Sequence, residues 1–204
     1  MEREINLAHI TLRVKRVDPL LEESPLLTES DREHLATLAA PSRRAQWATA
    51  RTLLREALGA EAELRYASSG ALILAKPVGT TRHLSISHTK EWVAVMLSEG
   101  RCGVDIESLG RNFSKVASRY ITHEERERLA EIAGESFEAL MWSAKEALYK
   151  YGASERLDFL QDMVVTDIDP TEQTLNAELY GLATPPVHYQ FVDDHILCYV
   201  SSEN

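Results

Sequence analysis

The spacing of apolar residues predicts a chain that mixes helices with strands. In Phe137–Tyr151, apolar residues recur every three or four positions and form one face of a helix. The opposite face carries two aromatic rings, a carboxylate and two ammonium groups: Trp142, Lys145, Glu146, Tyr149 and Lys150. An ordinary surface helix with a Glu146–Lys150 ion pair, worth about 0.3–0.5 kcal/mol, explains this face equally well. The helix alone therefore leaves its function open.

Helical periodicity and end signals predict four helices. Their predicted bounds are Ser30–Ala39, Arg43–Leu58, Thr122–Ala130 and Ser136–Tyr151. Capping boxes, formed by Ser30 with Glu33 and by Thr122 with Glu125, open the first and the third. Pro41 ends the first helix. The second helix carries four arginines, which indicate either a solvated charged face or a basic surface: Arg43, Arg44, Arg51 and Arg55.

Alternating apolar and polar residues predict the strands. They are Ile5–Val14, Met163–Ile168, Leu175–Tyr180, and Val187–Val192 with Ile196–Val200 across an Asp193-Asp194 turn. Three apolar runs between His83 and Glu107, namely HLSIS, WVAVML and CGVDIE, predict a three-strand meander. Its middle strand is apolar on both faces, so we expect it to lie centrally.

Two places in this meander carry candidate chemistry. Alternation in the third strand puts Asp105 and Glu107 on one face, with Cα atoms about 6.6–6.8 Å apart. Paired carboxylates suit Mg²⁺, which prefers oxygen ligands, although two solvated acids on an exposed strand are the simpler interpretation. His88 lies in the first turn beside Ser87 and Thr89, small polar residues that let an anion approach closely. A solvated turn histidine is the alternative there.

Composition excludes some classes of function. The 204 residues include 22 basic and 32 acidic ones, for a formal charge of -10, which argues against binding along a nucleic-acid backbone. Cys102 and Cys198 lie in apolar runs without metal-ligand spacing, so we expect buried, reduced thiols and no disulfide. The charged N-terminus and the absence of an apolar run of about 20 residues predict a cytoplasmic protein with no membrane partner.

Three motifs in this order, SISHT at Ser85–Thr89, GVDIE at Gly103–Glu107 and WSAKEALYK at Trp142–Lys150, resemble the 4'-phosphopantetheinyl transferase superfamily. The length resembles the Sfp-type (surfactin-synthetase-activating), single-chain branch, and so do ARTLLREAL at Ala50–Leu58 and SRYITHEE at Ser118–Glu125. The resemblance implies an α+β fold of two related α/β halves. Each half would pack an antiparallel-rich sheet on a long helix, with the active site between the halves. Residues 1–100 would contact coenzyme A, and residues 101–204 would bind Mg²⁺ and catalyse.

The resemblance also implies an activity. A holo-[acyl-carrier-protein] synthase type enzyme moves the 4'-phosphopantetheine arm of coenzyme A to a serine of an apo acyl, peptidyl or aryl carrier protein, in fatty-acid or secondary metabolism. It releases 3',5'-ADP and uses Mg²⁺, and we expect a monomer. The implied metal ligands are Asp105, Glu107 and Glu146. The implied catalytic residues are Glu146 as general base, Lys150 and His88. The implied cofactor contacts are Arg51, Ser87, His88, Thr89, Lys145 and Lys150, while Trp142 with Lys145 would steady the site.

The sequence departs from this family at one motif. A Gly-Lys-Pro or Gly-Arg-Pro usually precedes the SISH strand, but Ser69-Gly70-Ala71-Leu72 stands there, so Lys76 or Arg82 would have to supply the cation. We also predict that Ser108–Tyr120, with Arg111, Lys115 and Arg119, is the docking surface for an acidic carrier. Two other functions stay open: a Mg²⁺-dependent phosphodiester or pyrophosphate hydrolase, and a non-catalytic carrier-binding relative.

Overall fold

The structure is a computed structural model that describes residues 2–7, 9–59, 61–67, 70–152 and 157–202. The chain divides into two compact units, Met1–Gly100 and Arg101–Asn204. Each unit contains α-helices and antiparallel strands, so the predicted α+β fold class is confirmed.

The N-terminal unit is built on a four-stranded antiparallel sheet and two helices. Its elements are β1 (Glu2–Leu7), β2 (Ile10–Arg16), α1 (Glu29–Thr37), α2 (Pro41–Leu58), β3 (Leu64–Tyr66), β4 (Leu72–Leu74), β5 (His83–His88) and β6 (Trp92–Ser98). The strand order is β1-β2-β6-β5, while β3 and β4 form a separate hairpin. The apolar face of α2, with Leu53 and Leu54, packs on Val93 and Val95 of β6. The predicted central position of β6 is confirmed.

Two predictions for this unit are wrong in detail. The predicted strand Ile5–Val14 is a hairpin of β1 and β2, and Ala8 lies outside the described residues. The first capping box is formed by Thr28 with Asp31 rather than by Ser30 with Glu33, so α1 begins one residue before its predicted start. The observed box begins at Thr28, two residues before Ser30, where the predicted box begins.

The C-terminal unit packs a long helix on a larger sheet. Its elements are β7 (Cys102–Ser108), α3 (His123–Ala133), α4 (Phe137–Gly152), β8 (Met163–Asp169), β9 (Thr174–Leu179), β10 (Leu182–Ala183), β11 (Val187–Val192) and β12 (His195–Ser201). The order is β10-β9-β11-β12-β7, with β8 paired to β9. Ala144, Ala147 and Leu148 of α4 are fully buried in this unit's core. The capping box of Thr122 with Glu125 is confirmed, and so is the β11–β12 hairpin.

The predicted three-strand meander is wrong at its third strand. Strand β5 pairs with β6, but β7 pairs along its whole length with β12, from Cys102 opposite Ser201 to Ser108 opposite His195. Sequence neighbours usually pair, and here a strand more than 85 residues away takes that place. The consequence is that the two carboxylates of β7 belong to the same unit as α4.

Gly103 allows α4 to lie directly on β7. A Cβ atom at this position would be 2.0 Å from the carbonyl oxygen of Ala147 and 2.8 Å from the backbone nitrogen of Tyr151. Only a residue without a side chain permits that approach.

Elsewhere, Cys102 and Cys198 are free and buried, as predicted. Within the described part of the chain, every helix is too short or too polar to cross a lipid bilayer.

Candidate active site

Strand β7 and helix α4 carry the three predicted metal-binding carboxylates within the C-terminal unit. Alternate residues of a strand share a face, so Asp105 and Glu107 lie on the same face as Gly103, against which α4 packs. Asp105 is buried, with 4% of its surface exposed, while Glu107 and Glu146 are partly buried. The close approach at Gly103 thus fixes α4 beside these two acids.

Lys150 joins α4 to β7. Its Nζ atom donates hydrogen bonds to Oδ1 of Asp105 at 2.9 Å and to the carbonyl oxygen of Val104 at 2.8 Å. The Lys150 side chain is 27% exposed, so part of it stays accessible to solvent. Among the described residues, no ion pair joins Lys150 to Glu146, and the simpler interpretation of a surface helix with that pair is therefore wrong.

Glu107 is held by two donors on a single oxygen. Its Oε1 atom accepts from Nε1 of Trp142 at 2.8 Å and from Nη1 of Arg111 at 2.6 Å. The guanidinium carbon of Arg111 lies 4.9 Å from the centre of the Trp142 ring and 5.0 Å from that of Phe113. Arg111 is thus an ion-pair partner of Glu107 and a cation–π partner of two rings.

The three carboxylates repel one another. Burial raises the pKa of Glu146, and the negative charges of Asp105 and Glu107 raise it further, against the opposing effect of Lys150 and Arg111. Burial and Asp105 likewise raise the pKa of Glu107, while Arg111 and Trp142 lower it. In this conformation the oxygens of the three acids do not all lie within 4.8 Å of one another. A shared cation therefore needs side-chain movements that bring these oxygens together.

The structure places Lys145 inside the C-terminal unit, on the flank of α4 away from this cluster of acids. The ammonium is fully buried, 2.8 Å from Oε1 of Glu125, and it also donates to the carbonyl oxygen of Phe159 at 2.9 Å. Glu125 in turn caps α3 and accepts from the backbone of Val165 on β8. This placement does not support the predicted contact between Lys145 and the cofactor. It agrees with the other implied function, which is to steady α4.

His88, Ser87 and Thr89 lie at the end of β5 in the N-terminal unit, but they do not share one face. His88 is exposed, and its Nε2 atom is 2.6 Å from Nη1 of Arg43 on α2. Ser87 is buried and, being adjacent in the strand, points to the opposite side. The hydroxyl of Thr89 accepts from the backbone of Trp92 and so shapes the turn. His88 and Arg43 form the accessible polar pair here.

Arg51 is buried in the N-terminal unit rather than presented on its surface. Its Nε atom is 3.0 Å from Oδ1 of Asp31, and its guanidinium lies 4.7 Å from the Trp47 ring centre. Asp31 also pairs with Arg55 at 3.0 Å. Nη1 of Arg51 is buried and has no hydrogen-bond partner among the described residues. The Nε atom of Arg51 thus has a structural function on Asp31, and the Nη1 atom is the part of this side chain that lacks a partner among the described residues.

The substitutes considered for the missing Gly-Lys-Pro motif already have partners nearby. Lys76 pairs with Glu63, and Arg82 donates to the carbonyl oxygen of Gly79 at 2.9 Å. Ser69, which occupies the motif's position in sequence, lies outside the described residues.

Sequence reasoning assigned no site function to Arg43 and treated Arg111 as part of a docking surface. For Arg111 the signal was present, because residue 107 and residue 111 are four apart and of opposite charge. For Arg43 the signal for a site residue was weaker, since the sequence showed only that α2 carries several arginines. Its partner His88 is 45 residues away along the chain.

The model of the 4'-phosphopantetheinyl transferase superfamily matches residues 101–200, which is nearly the whole C-terminal unit. No curated protein sequence matches the chain.

Proposed function

We propose that this protein is a 4'-phosphopantetheinyl transferase of the Sfp-type, single-chain branch. It would transfer the phosphopantetheine arm of coenzyme A to a serine of an apo carrier protein, with Mg²⁺, and release 3',5'-ADP. The observation that carries the proposal is the arrangement of Asp105, Glu107, Glu146 and Lys150 on β7 and α4. These four residues lie within the segment that matches the superfamily model.

The residues present fit a divalent cation. The donor set consists of three carboxylates and nothing softer, which suits Mg²⁺ better than zinc or copper. Burial, and after it their mutual repulsion, raises the pKa of Glu107 and Glu146, so a bound cation relieves an electrostatic cost that the fold already carries. Asp105, Glu107 and Glu146 would hold the ion, and the ion would neutralise charge on the pyrophosphate during transfer.

The chain's own residues supply the proton transfer. Glu146 accepts the proton of the serine hydroxyl as the serine oxygen forms its bond to the β-phosphorus of coenzyme A. The bond between that phosphorus and the bridging oxygen breaks, and the electron pair leaves with 3',5'-ADP. Within the described residues Glu146 makes no hydrogen bond, so its lone pairs are available. A raised pKa also brings a carboxylate closer to the working pH of a general base.

Cationic residues would bind the phosphates. Lys150, whose side chain is partly exposed, would donate to a pyrophosphate oxygen while it keeps its hydrogen bond to Asp105. In the N-terminal unit, His88 and Arg43 would contact another phosphate of coenzyme A through their exposed edges, with Thr89 shaping the turn. The buried Nη1 edge of Arg51 would complete this anion site only after the surrounding side chains move.

The acceptor would be an acidic carrier protein. Lys115 and Arg119 are exposed in the predicted docking segment Ser108–Tyr120 and would steer it electrostatically. Arg111 belongs less clearly to this surface, because its guanidinium already pairs with Glu107.

The test is transfer read by intact mass. The protein is incubated with coenzyme A, Mg²⁺ and apo carriers of the acyl, peptidyl and aryl types, and we expect one carrier to gain the mass of one phosphopantetheine. Glu146→Gln should abolish this gain in mass. Glu131 is an exposed acid on α3, and the control variant Glu131→Gln should not change the gain. Hydrolysis of coenzyme A without an acceptor would instead show a hydrolase. A folded protein that binds a carrier without modifying it would show a non-catalytic relative.

A further inference from the structure

Arg111 lies between the acids and a cavity. Its guanidinium pairs with Glu107 at 2.6 Å on one side, and its side chain, 44% exposed, lines a cavity of about 700 Å³ on the other. The cavity is also lined by Leu109, Phe113, Glu135 and Glu138. Arg111 therefore has carboxylates in both directions: the cluster of acids, and Glu135 and Glu138 of the cavity.

The charges of the cluster are balanced unevenly. Lys150 neutralises Asp105, and Arg111 neutralises Glu107, each through one oxygen of its partner. Lys150 is fixed by a second bond to the Val104 carbonyl, whereas the side chain of Arg111 is held, among the described residues, by its ion pair and its stacking on two rings. Of the two basic partners, Arg111 is therefore the one that can leave.

Glu107 would keep its position if Arg111 left. Nε1 of Trp142 donates to the same Oε1 atom at 2.8 Å, and Trp142 is itself held by the rings of Tyr120 and Phe159, with centroids 5.0 and 5.7 Å away. The carboxylate therefore stays oriented by a neutral donor. Departure of Arg111 would change the charge that a cation meets at Glu107. The guanidinium competes with a divalent cation for the same carboxylate oxygen, and its positive charge repels that cation.

We infer that Arg111 is a counterion for Glu107 that a divalent cation must displace, so that cation binding moves the guanidinium from Glu107 towards the neighbouring cavity. This inference rests on the proposed function, since it takes the three acids to be the metal ligands. Arg111 is then a positioning residue rather than a catalytic one. It keeps the acids neutralised before the cation binds, and it sets the apparent affinity for the cation.

The experiment compares divalent-cation binding to the full-length protein without coenzyme A. Mg²⁺ binding is measured by calorimetry and Mn²⁺ binding by electron paramagnetic resonance, for wild type and for Arg111→Met, Arg111→Lys and Arg126→Met. Arg126 is a matched control, because it is equally exposed at 44%, pairs with Glu138 at 3.1 Å and lies over the Phe137 ring. Its substitution makes the same change in net charge away from the three acids.

We expect Arg111→Met to bind both cations about three- to tenfold more tightly than wild type at low salt. Arg111→Lys, which keeps the charge, and Arg126→Met should stay within twofold of wild type. The gain should shrink with added salt because the ion pair is partly exposed. Mn²⁺ should also change the tryptophan emission in wild type more than in Arg111→Met, and Trp142→Phe identifies the part of the signal that comes from the ring under Arg111.

The outcomes separate the two proposals. Equal or weaker binding by Arg111→Met, in a preparation whose wild type transfers phosphopantetheine, overturns the inference and leaves the proposed function standing. Equal gains in Arg111→Met and Arg126→Met also overturn it, because the effect would then be one of net charge. A wild-type protein that binds neither cation overturns the metal site itself, and the inference with it.

Discussion

Replacing Gly103 by alanine tests the contact that places α4 on β7. The added Cβ would be 2.0 Å from the carbonyl oxygen of Ala147 and 2.8 Å from the nitrogen of Tyr151. Both atoms belong to the helix backbone, so no side chain can rotate away. Ordinary contact begins near 3.4 Å, and the difference from 2.0 Å means that helix and strand must separate locally by about 1.4 Å.

The separation has two calculable effects. Overpacking of this kind destabilises a fold by about 1–3 kcal/mol. It also lengthens the 2.9 Å bond between Lys150 and Asp105 and moves Glu146 by a similar distance. Misplacement of reacting groups by about 1 Å costs roughly 10²-fold in rate. We therefore expect Gly103→Ala to lower the transfer rate about a hundredfold and to lower the midpoint of thermal unfolding by several degrees.

The assay measures the rate of mass gain by the apo carrier at a temperature well below the unfolding midpoint of every variant. Gly110→Ala is the matched control, because a Cβ there meets only Oγ of Ser108 at an ordinary 3.6 Å. It should keep wild-type stability. Transfer by Gly103→Ala within twofold of wild type, with an unchanged unfolding midpoint, would refute the idea that this close approach positions the acids.

Two further predictions concern stability. Because burial and like charges raise the pKa of Glu146 in the folded protein, its ionised form destabilises the fold: the cost is absent below the ordinary pKa of 4.5 and grows as the pH rises through the raised value. With a metal chelator present, Glu146→Gln should therefore have a higher free energy of unfolding in urea than wild type at pH 8, and the difference should disappear near pH 4. A difference that is larger at pH 4 than at pH 8 would contradict this prediction. Lys145→Met should cost about 3–5 kcal/mol in the same assay, since it leaves the buried Glu125 without its cation, and Lys145→Met with Glu125→Gln should cost less than Lys145→Met alone. An additive double variant would show that the pair is not coupled.

Local patterns in the sequence predicted the elements better than their pairing. The capping box of Thr122 with Glu125 and the hairpin turn at Asp193 depend on residues within four positions of each other, and both are present. The pairing of β7 with β12 depends on residues such as Asp105 and Cys198, which are 93 positions apart. Periodicity contains no information about such partners, so adjacency along the chain suggested a meander instead.

The same limit applies to side chains on α4. Helical spacing placed Trp142, Lys145, Glu146 and Lys150 on one broad face. It could not show that Glu125 from α3 would meet Lys145 and bury it, while β7 would meet Lys150. Two lysines five positions apart thus have different surroundings, one without any exposure and one with 27% of its side chain exposed. Tertiary contacts made this distinction.

The distribution of hydrogen bonds among the acids supports different functions for them. Asp105 accepts a hydrogen bond from the cationic side chain of Lys150, and Glu107 accepts one from that of Arg111. A general base needs the opposite, because donors that occupy its lone pairs and lower its pKa would weaken it as a proton acceptor. Lys150 is one helical turn from Glu146, yet it bonds to Asp105. Glu146 is thereby left without a donor among the described residues, and burial together with the charges of Asp105 and Glu107 raises its pKa, as the proposed function of general base requires.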